Sequence, residues 1–142
     1  DKKRISALIS LCSILNILLP ESQPNKNLYN AYEKFINSIH LENWVYLYIF
    51  FELNLVKDLG YDPNLEKFKS NIIDYEIKKI KIDTFTYEVP EYLITGNLPM
   101  ENSTELVKKS LHFTRNIIQN KFFIPNNLVF PKSRVLLENY FN

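Results

Sequence analysis

A chain of 142 residues with 46% hydrophobic and 14% aromatic side chains is long and apolar enough to bury a core. That excludes a disordered tail and makes a single domain over residues 1–142 the expectation. Seventeen basic against sixteen acidic side chains leave a formal charge of +1, so composition alone advertises no strongly basic nucleic-acid surface. Two glycines are too few for a phosphate-cradling loop, and the single cysteine, Cys12, excludes an internal disulfide and a cysteine-based zinc site.

Asp1-Lys2-Lys3-Arg4 and the apolar run that follows imitate a secretory leader. Ser6, Ser10, Ser13 and Asn16 interrupt that run, and no small-x-small cleavage site follows. A chain starting with Asp reads more simply as a piece of something longer. Ile5, Leu8, Ile9, Cys12, Leu15 and Leu19 recur at helical spacing, predicting a first helix over residues 4–19 with this face toward the core. Leu11, Ile14 and Leu18 thicken the stripe, and Cys12 within it reads as a buried, inert thiol. Pro20 ends the helix and residues 21–24 form a loop.

A second helix is predicted over residues 26–39, capped by Asn25, with Leu28, Tyr32, Phe35, Ile36 and Ile39 inward. The short connection at His40 implies two antiparallel neighbours. Residues 41–59 are apolar around almost the whole circumference, as in a helix buried on most sides. Their longest uncharged stretch, residues 43–51, falls short of the roughly 20 residues a membrane span requires. Gly60 suits the position just past the helix end, and Asp62-Pro63 reads as cap and first residue of a short turn through Phe68.

Residues 72–89 mix Ile77, Ile80 and Ile82 with Lys78, Lys79, Lys81 and Asp83, then Phe85-Thr86-Tyr87, predicting a two-stranded ribbon. Residues 90–93 read as a helical turn and residues 95–97 as a loop. A long helix over residues 103–122 has Asn102 or Ser103 as cap and Glu105 at its positive end, with Leu106, Leu111, Phe113, Ile117 and Ile118 inward. Residues 124–127 break it. A last helix begins near Pro131, with Val135, Leu136, Tyr140 and Phe141 apolar. The fold class is therefore mainly α: a helical bundle with a small irregular or β-ribbon insertion.

Catalytic chemistry finds little support. His40 and His112 are the only imidazoles, and neither has a metal-binding helical spacing. No Gly-x-Ser-x-Gly elbow or Cys–His set is present, so the expectation is a non-enzyme with no catalytic residue, no metal and no cofactor. Glu52 is the polar residue that demands an explanation. A carboxylate inside a buried helix needs a partner, and a structural ion pair with an incoming Lys or Arg is the leading reading, ahead of partner binding or proton handling. Lys78, Lys79, Lys81, Lys108, Lys109 and Arg115 are candidates for phosphate or peptide-carboxylate contacts, set against a plain solvated surface. Tyrosines interleaved with lysines over residues 75–87 suit either stacking on single-stranded bases or packing of the ribbon.

Two segments carry a resemblance. Residues 7–29 read ALISLCSILNILLPESQPNKNLY, and residues 51–68 read FELNLVKDLGYDPNLEKF, with Phe-Glu-Leu followed by Leu-Gly-Tyr. Pro90-Glu91-Tyr92-Leu93, residues 111–123 and Phe130-Pro131-Lys132-Ser133-Arg134 add weaker support in the same order. The pattern resembles the C-terminal helical domain of RecO, the bacterial recombination mediator.

The resemblance implies a cytoplasmic DNA repair and recombination protein that binds DNA and single-stranded-DNA-binding protein, works with RecR and helps load RecA in gap and double-strand-break repair. It begins within the first residues, where family members have already completed an N-terminal OB-fold. The chain thus reads as a RecO-like domain without that barrel, binding protein partners mainly and DNA only weakly on its own. Family zinc ribbons place their first Cys where this chain has Phe68, and no Cys pair follows, so the ribbon is expected to hold by packing alone. The expected surface is a groove between helices that takes a short acidic, hydrophobic peptide such as the tail of single-stranded-DNA-binding protein, with no membrane partner. Alternatives are a remnant or structural interaction module of a split gene, or the ligand domain of an unrelated helical regulator, which would need a sizeable apolar pocket.

Overall fold

A computed structural model describes residues 1–19, 25–69 and 77–142. Among these, α1 (Lys2–Leu18), α2 (Lys26–Ser38) and α3 (Trp44–Asp58) are followed by a 3-10 turn (Leu65–Phe68) and a hairpin of β1 (Ile77–Ile82) and β2 (Phe85–Pro90). Then come α4 (Glu91–Thr95), α5 (Thr104–Ile118) continued by a π turn (Gln119–Phe123), and α6 (Lys132–Asn139). The mainly α reading with a small ribbon is borne out. The predicted end of α1 at Pro20, the loop over residues 21–24 and the first part of the ribbon, residues 72–76 with Tyr75, lie outside the described residues.

α3 is the pillar. Tyr46, Tyr48, Ile49 and Val56 are fully buried, and α2 and α5 pack against it. α1 packs on α6, β2 lies on α5, and α4 bridges the 3-10 turn and β2. Local chemistry sets the element ends. Asn25 accepts the Leu28 N–H at 3.0 Å and Ser103 accepts the Leu106 N–H at 3.2 Å, each satisfying an orphan donor of a first helical turn. At the end of α3, Gly60 N–H donates to Lys57 O at 2.9 Å and Tyr61 N–H to Val56 O at 3.1 Å, the paired bonds of a Schellman ending. Gly60 has φ 101°, and Asp62 accepts the Asn64 N–H at 2.8 Å to start the turn that follows.

The hairpin pairs Ile82 with Phe85 and Ile77 with Pro90, so Asp83-Thr84 is a two-residue connection, with Asp83 at φ 56°. Aspartate tolerates this left-handed region, which is why the turn forms without a glycine. Ile80, Ile82, Tyr87 and Val89 are buried, whereas Lys79, Lys81, Thr86 and Glu88 are exposed, the alternation a one-sided ribbon requires.

Two helices are rotated relative to the sequence reading. In α1 the buried residues are Ser6, Ala7, Ser10, Leu11 and Ile14, while Ile5 and Ile9 are more than half exposed. Cys12, expected to be buried, is exposed. Small serines allow close approach here, and the Ser10 hydroxyl sits 2.8 Å from the Tyr48 hydroxyl, so its polarity is satisfied inside. In α6 the buried residues are Arg134 and Leu137, with Phe141 just beyond, and Val135, Leu136 and Tyr140 face outward. The helix is turned about 100°, one residue's rotation, from the apolar reading, and the cause is the charge on Arg134.

Substituting Gly60 with alanine meets no neighbouring atom within 4 Å, so the cost is the backbone's alone. Gly60→Ala is expected to lower unfolding free energy by about 1–2 kcal/mol in urea titration, the price of a left-handed residue with a Cβ.

Candidate functional site

Glu52 is 1% exposed, midway along α3. Its Oε2 accepts from Arg134 Nε at 2.6 Å and from the Tyr48 hydroxyl at 2.9 Å. Its Oε1 accepts from Arg134 Nη2 at 3.0 Å and from Thr114 Oγ1 at 2.6 Å. Because Tyr48 gives its proton to Glu52, Ser10 donates to Tyr48 in turn. Arg134, itself without solvent exposure, also donates to Leu111 O at 2.9 Å and to Glu138 Oε1 at 3.3 Å. One carboxylate therefore ties α1, α3, α5 and α6 together. Burial works against the guanidinium, yet the facing Glu52, with Tyr48 and Glu138, holds Arg134 above its ordinary pKa. The Tyr48 phenol is pushed well up, by burial first and by Glu52 second.

With four donors already on it, the Glu52 carboxylate has no free site to take a substrate proton. Its geometry is that of a fork-to-fork clamp. Sequence reasoning singled out Glu52 and missed Arg134. The usable signal is Arg134 itself, directly before the apolar pair Val135-Leu136 of the last helix and of the charge that a buried Glu52 requires.

The six basic candidates do not converge on one spot. Lys78 is half-buried and donates to the Phe68 carbonyl at 3.3 Å. Lys79 and Lys81 are exposed on the outer face of β1. Lys108 is exposed on α5. Lys109 is paired with Glu88 at 3.0 Å, and Arg115 with Glu138 at 2.9 Å. His112, also exposed, lies 2.7 Å from Arg115 through Nδ1, and His40 is exposed at the α2–α3 junction. At the hairpin tip Asp83 accepts from Lys121 and from the Tyr61 hydroxyl, while the Lys121 ammonium stands 4.3 Å from the centre of the Tyr61 ring.

A groove of about 680 Å³ runs between α1 and α2. Leu15, Leu19, Leu28 and Tyr32 make its apolar wall, and Cys12 lies in it. Lys26, in the first turn of α2 and exposed, supplies a positive charge at its lip. Sequence periodicity assigns Cys12, Leu15, Leu19, Leu28 and Tyr32 to inward faces, and the structure places them along this groove. Burial first, and the neighbouring Cys12 second, raise the Tyr32 phenol above its usual value. Among the described residues no His, Cys, Asp and Glu gather in a group that would hold a metal ion, and no helix is long and apolar enough to cross a membrane.

Removing one partner of the buried pair leaves the other charge stranded. Arg134→Met is expected to cost about 3–5 kcal/mol in chemical denaturation, while Glu52→Leu combined with Arg134→Met recovers most of the loss. Glu88 is held below its ordinary pKa by the hydrogen bond and charge of Lys109, and Asp83 by the hydrogen bonds of Lys121 and Tyr61. Carboxylates depressed in this way contribute fully above the ordinary carboxylate range and lose their contribution as pH falls through the lowered values. NMR titration should find both midpoints low, and Lys109→Ala should return that of Glu88 alone to the ordinary range.

Comparison with known proteins places the first half of the chain. Residues 1–68 match the family model described as recombination protein O C terminal. A DNA repair protein RecO of Rhodospirillum centenum is 30% identical over 61 residues, covering 43% of this chain and 24% of that protein. A DNA repair protein RecO of Ehrlichia chaffeensis is 39% identical over 56 residues, 38% of this chain and 23% of that protein. The aligned part is thus about a quarter of the length of these curated relatives. No solved structure matches. The resemblance drawn from residues 7–29 and 51–68 is borne out over the span of the family match.

Proposed function

We propose that this chain, RecO-like over residues 1–68, is the helical, partner-binding part of a cytoplasmic DNA repair and recombination protein, and that its α1–α2 groove takes the C-terminal tail of single-stranded-DNA-binding protein. The observation that carries the reading is the groove itself. A volume of about 680 Å³ with an apolar wall lies within the usual range for a bound peptide end or small molecule. An acidic, hydrophobic tail matches it twice over: an apolar side chain fills the wall between Leu15 and Tyr32, and the acidic end meets Lys26. The first turn of α2 adds a favourable potential for negative charge, since backbone N–H groups point toward the helix start.

In this reading the protein works beside RecR to bring RecA to gaps and breaks. DNA is a weak, secondary ligand of this part, touched by Lys78, Lys79, Lys81 and Lys108, with Lys109 and Arg115 partly engaged by their own carboxylates. Dispersed lysines of this sort give a sequence-independent affinity that falls steeply with salt.

Fluorescence anisotropy with a labelled peptide of the tail tests the reading. Micromolar binding is expected at low salt, with Leu15→Glu weakening it more than tenfold and Lys26→Glu several-fold, the split expected between a buried anchor and a rim charge. Absence of binding by the unaltered protein at low salt overturns the proposal.

A further inference from the structure

The hairpin carries a feature that the groove does not use. Among the described residues the ladder is β1–β2 alone, and no backbone hydrogen bond outside that ladder involves Ile77–Ile82. β2 is the strand packed on α5 and α4. In an antiparallel pair, alternate residues turn their N–H and C=O groups away from the partner strand. One side of β1 therefore offers a row of alternating donors and acceptors about 20 Å long.

Such an edge is ordinarily a hazard, and lysine is a common way to blunt it. β1 reads Ile-Lys-Lys-Ile-Lys-Ile. Lys79 lies opposite Glu88 across the ladder, but the Glu88 carboxylate is engaged by Lys109 at 3.0 Å. Lys81 lies opposite Thr86, which carries no charge. Both lysines are exposed and make no ion pair among the described residues. They repel basic strands and one another's copies. An acidic strand is the one that they admit.

We propose that the edge of β1 that is unpaired among the described residues accepts an extended acidic segment of a partner protein as a third strand. The edge groups hold its backbone, and Lys79 and Lys81 pair with its carboxylates. DNA meets only half of this demand. Its phosphates satisfy the lysines, but its sugar-phosphate backbone has no donor for the outward carbonyls, so the row of alternating groups favours a peptide.

The test uses the full chain and three probes: a capped eight-residue peptide alternating valine and glutamate, the same peptide with its edge-facing amides N-methylated, and oligothymidine. The first should slow hydrogen exchange of those β1 amides that face away from β2. N-methylation should abolish this at unchanged charge. The double substitution Lys79→Glu with Lys81→Glu, both at exposed positions, should weaken binding about tenfold or more through like-charge repulsion. Equal binding of the N-methylated peptide overturns strand addition. Equal protection by oligothymidine replaces it with a polyanion surface, and unchanged exchange of β1 with the first peptide removes it. Protection at β1 is read separately from shifts at Lys26 and Leu28, so failure here and failure of the groove reading are distinguishable.

Discussion

The fold depends on one buried ion pair. An isolated carboxylate 1% exposed in the middle of an apolar helix would be prohibitively costly, and so would a guanidinium with no exposure at all. Each makes the other tolerable, but only in one arrangement. Bidentate geometry fixes distance and plane together, and the remaining sites of Glu52 are closed by Tyr48 and Thr114. α6 can dock in only one register and one rotation, because any other would leave Arg134 stranded. That is why its outward face carries Val135, Leu136 and Tyr140, an outcome hydrophobic patterning alone would reverse. A buried pair of this kind constrains geometry without adding much net stability, since an apolar pair of like volume is often as stable or more so.

The clamp also joins parts of the chain with different comparative standing. Glu52, Tyr48 and Ser10 fall within residues 1–68, the span that matches the RecO C-terminal family. Arg134 and Thr114 lie beyond it. The matched half therefore holds the acid, and the unmatched half supplies the base that makes its burial possible. The long helix of the match is not a self-sufficient unit: its charge is neutralised from a helix 82 residues further along.

Surface chemistry follows from the same geometry. With Ser6 and Ser10 turned inward beside Ala7, Leu11 and Ile14, the apolar Ile5 and Ile9 are left outside, and Cys12 and Leu15 join the wall of the α1–α2 groove. Likewise, packing of β2 on α5 leaves β1 at the margin with Lys79 and Lys81 outward. Both candidate interaction surfaces are thus by-products of which face the core claimed.

What could be read from sequence was whatever local chemistry decides. Helix spans, the Asn25 and Ser103 caps, the Gly60 ending and the two-strand ribbon all depend on residues within a few positions of one another, where spacing and backbone preference act directly. The need of Glu52 for a cation was equally legible, because desolvation cost is a property of the residue and its helix. The identity of that cation was not, since Arg134 and Glu52 meet only after three helices have packed. The same holds for the rotation of α1 and α6. Hydrophobic periodicity ranks faces by apolarity, whereas the folded core selected faces by what satisfied Glu52 and Tyr48. Sequence by itself determined the elements and the demand for a buried partner. Tertiary structure decided which faces turned inward, because a buried charge outweighs several half-buried methyl groups.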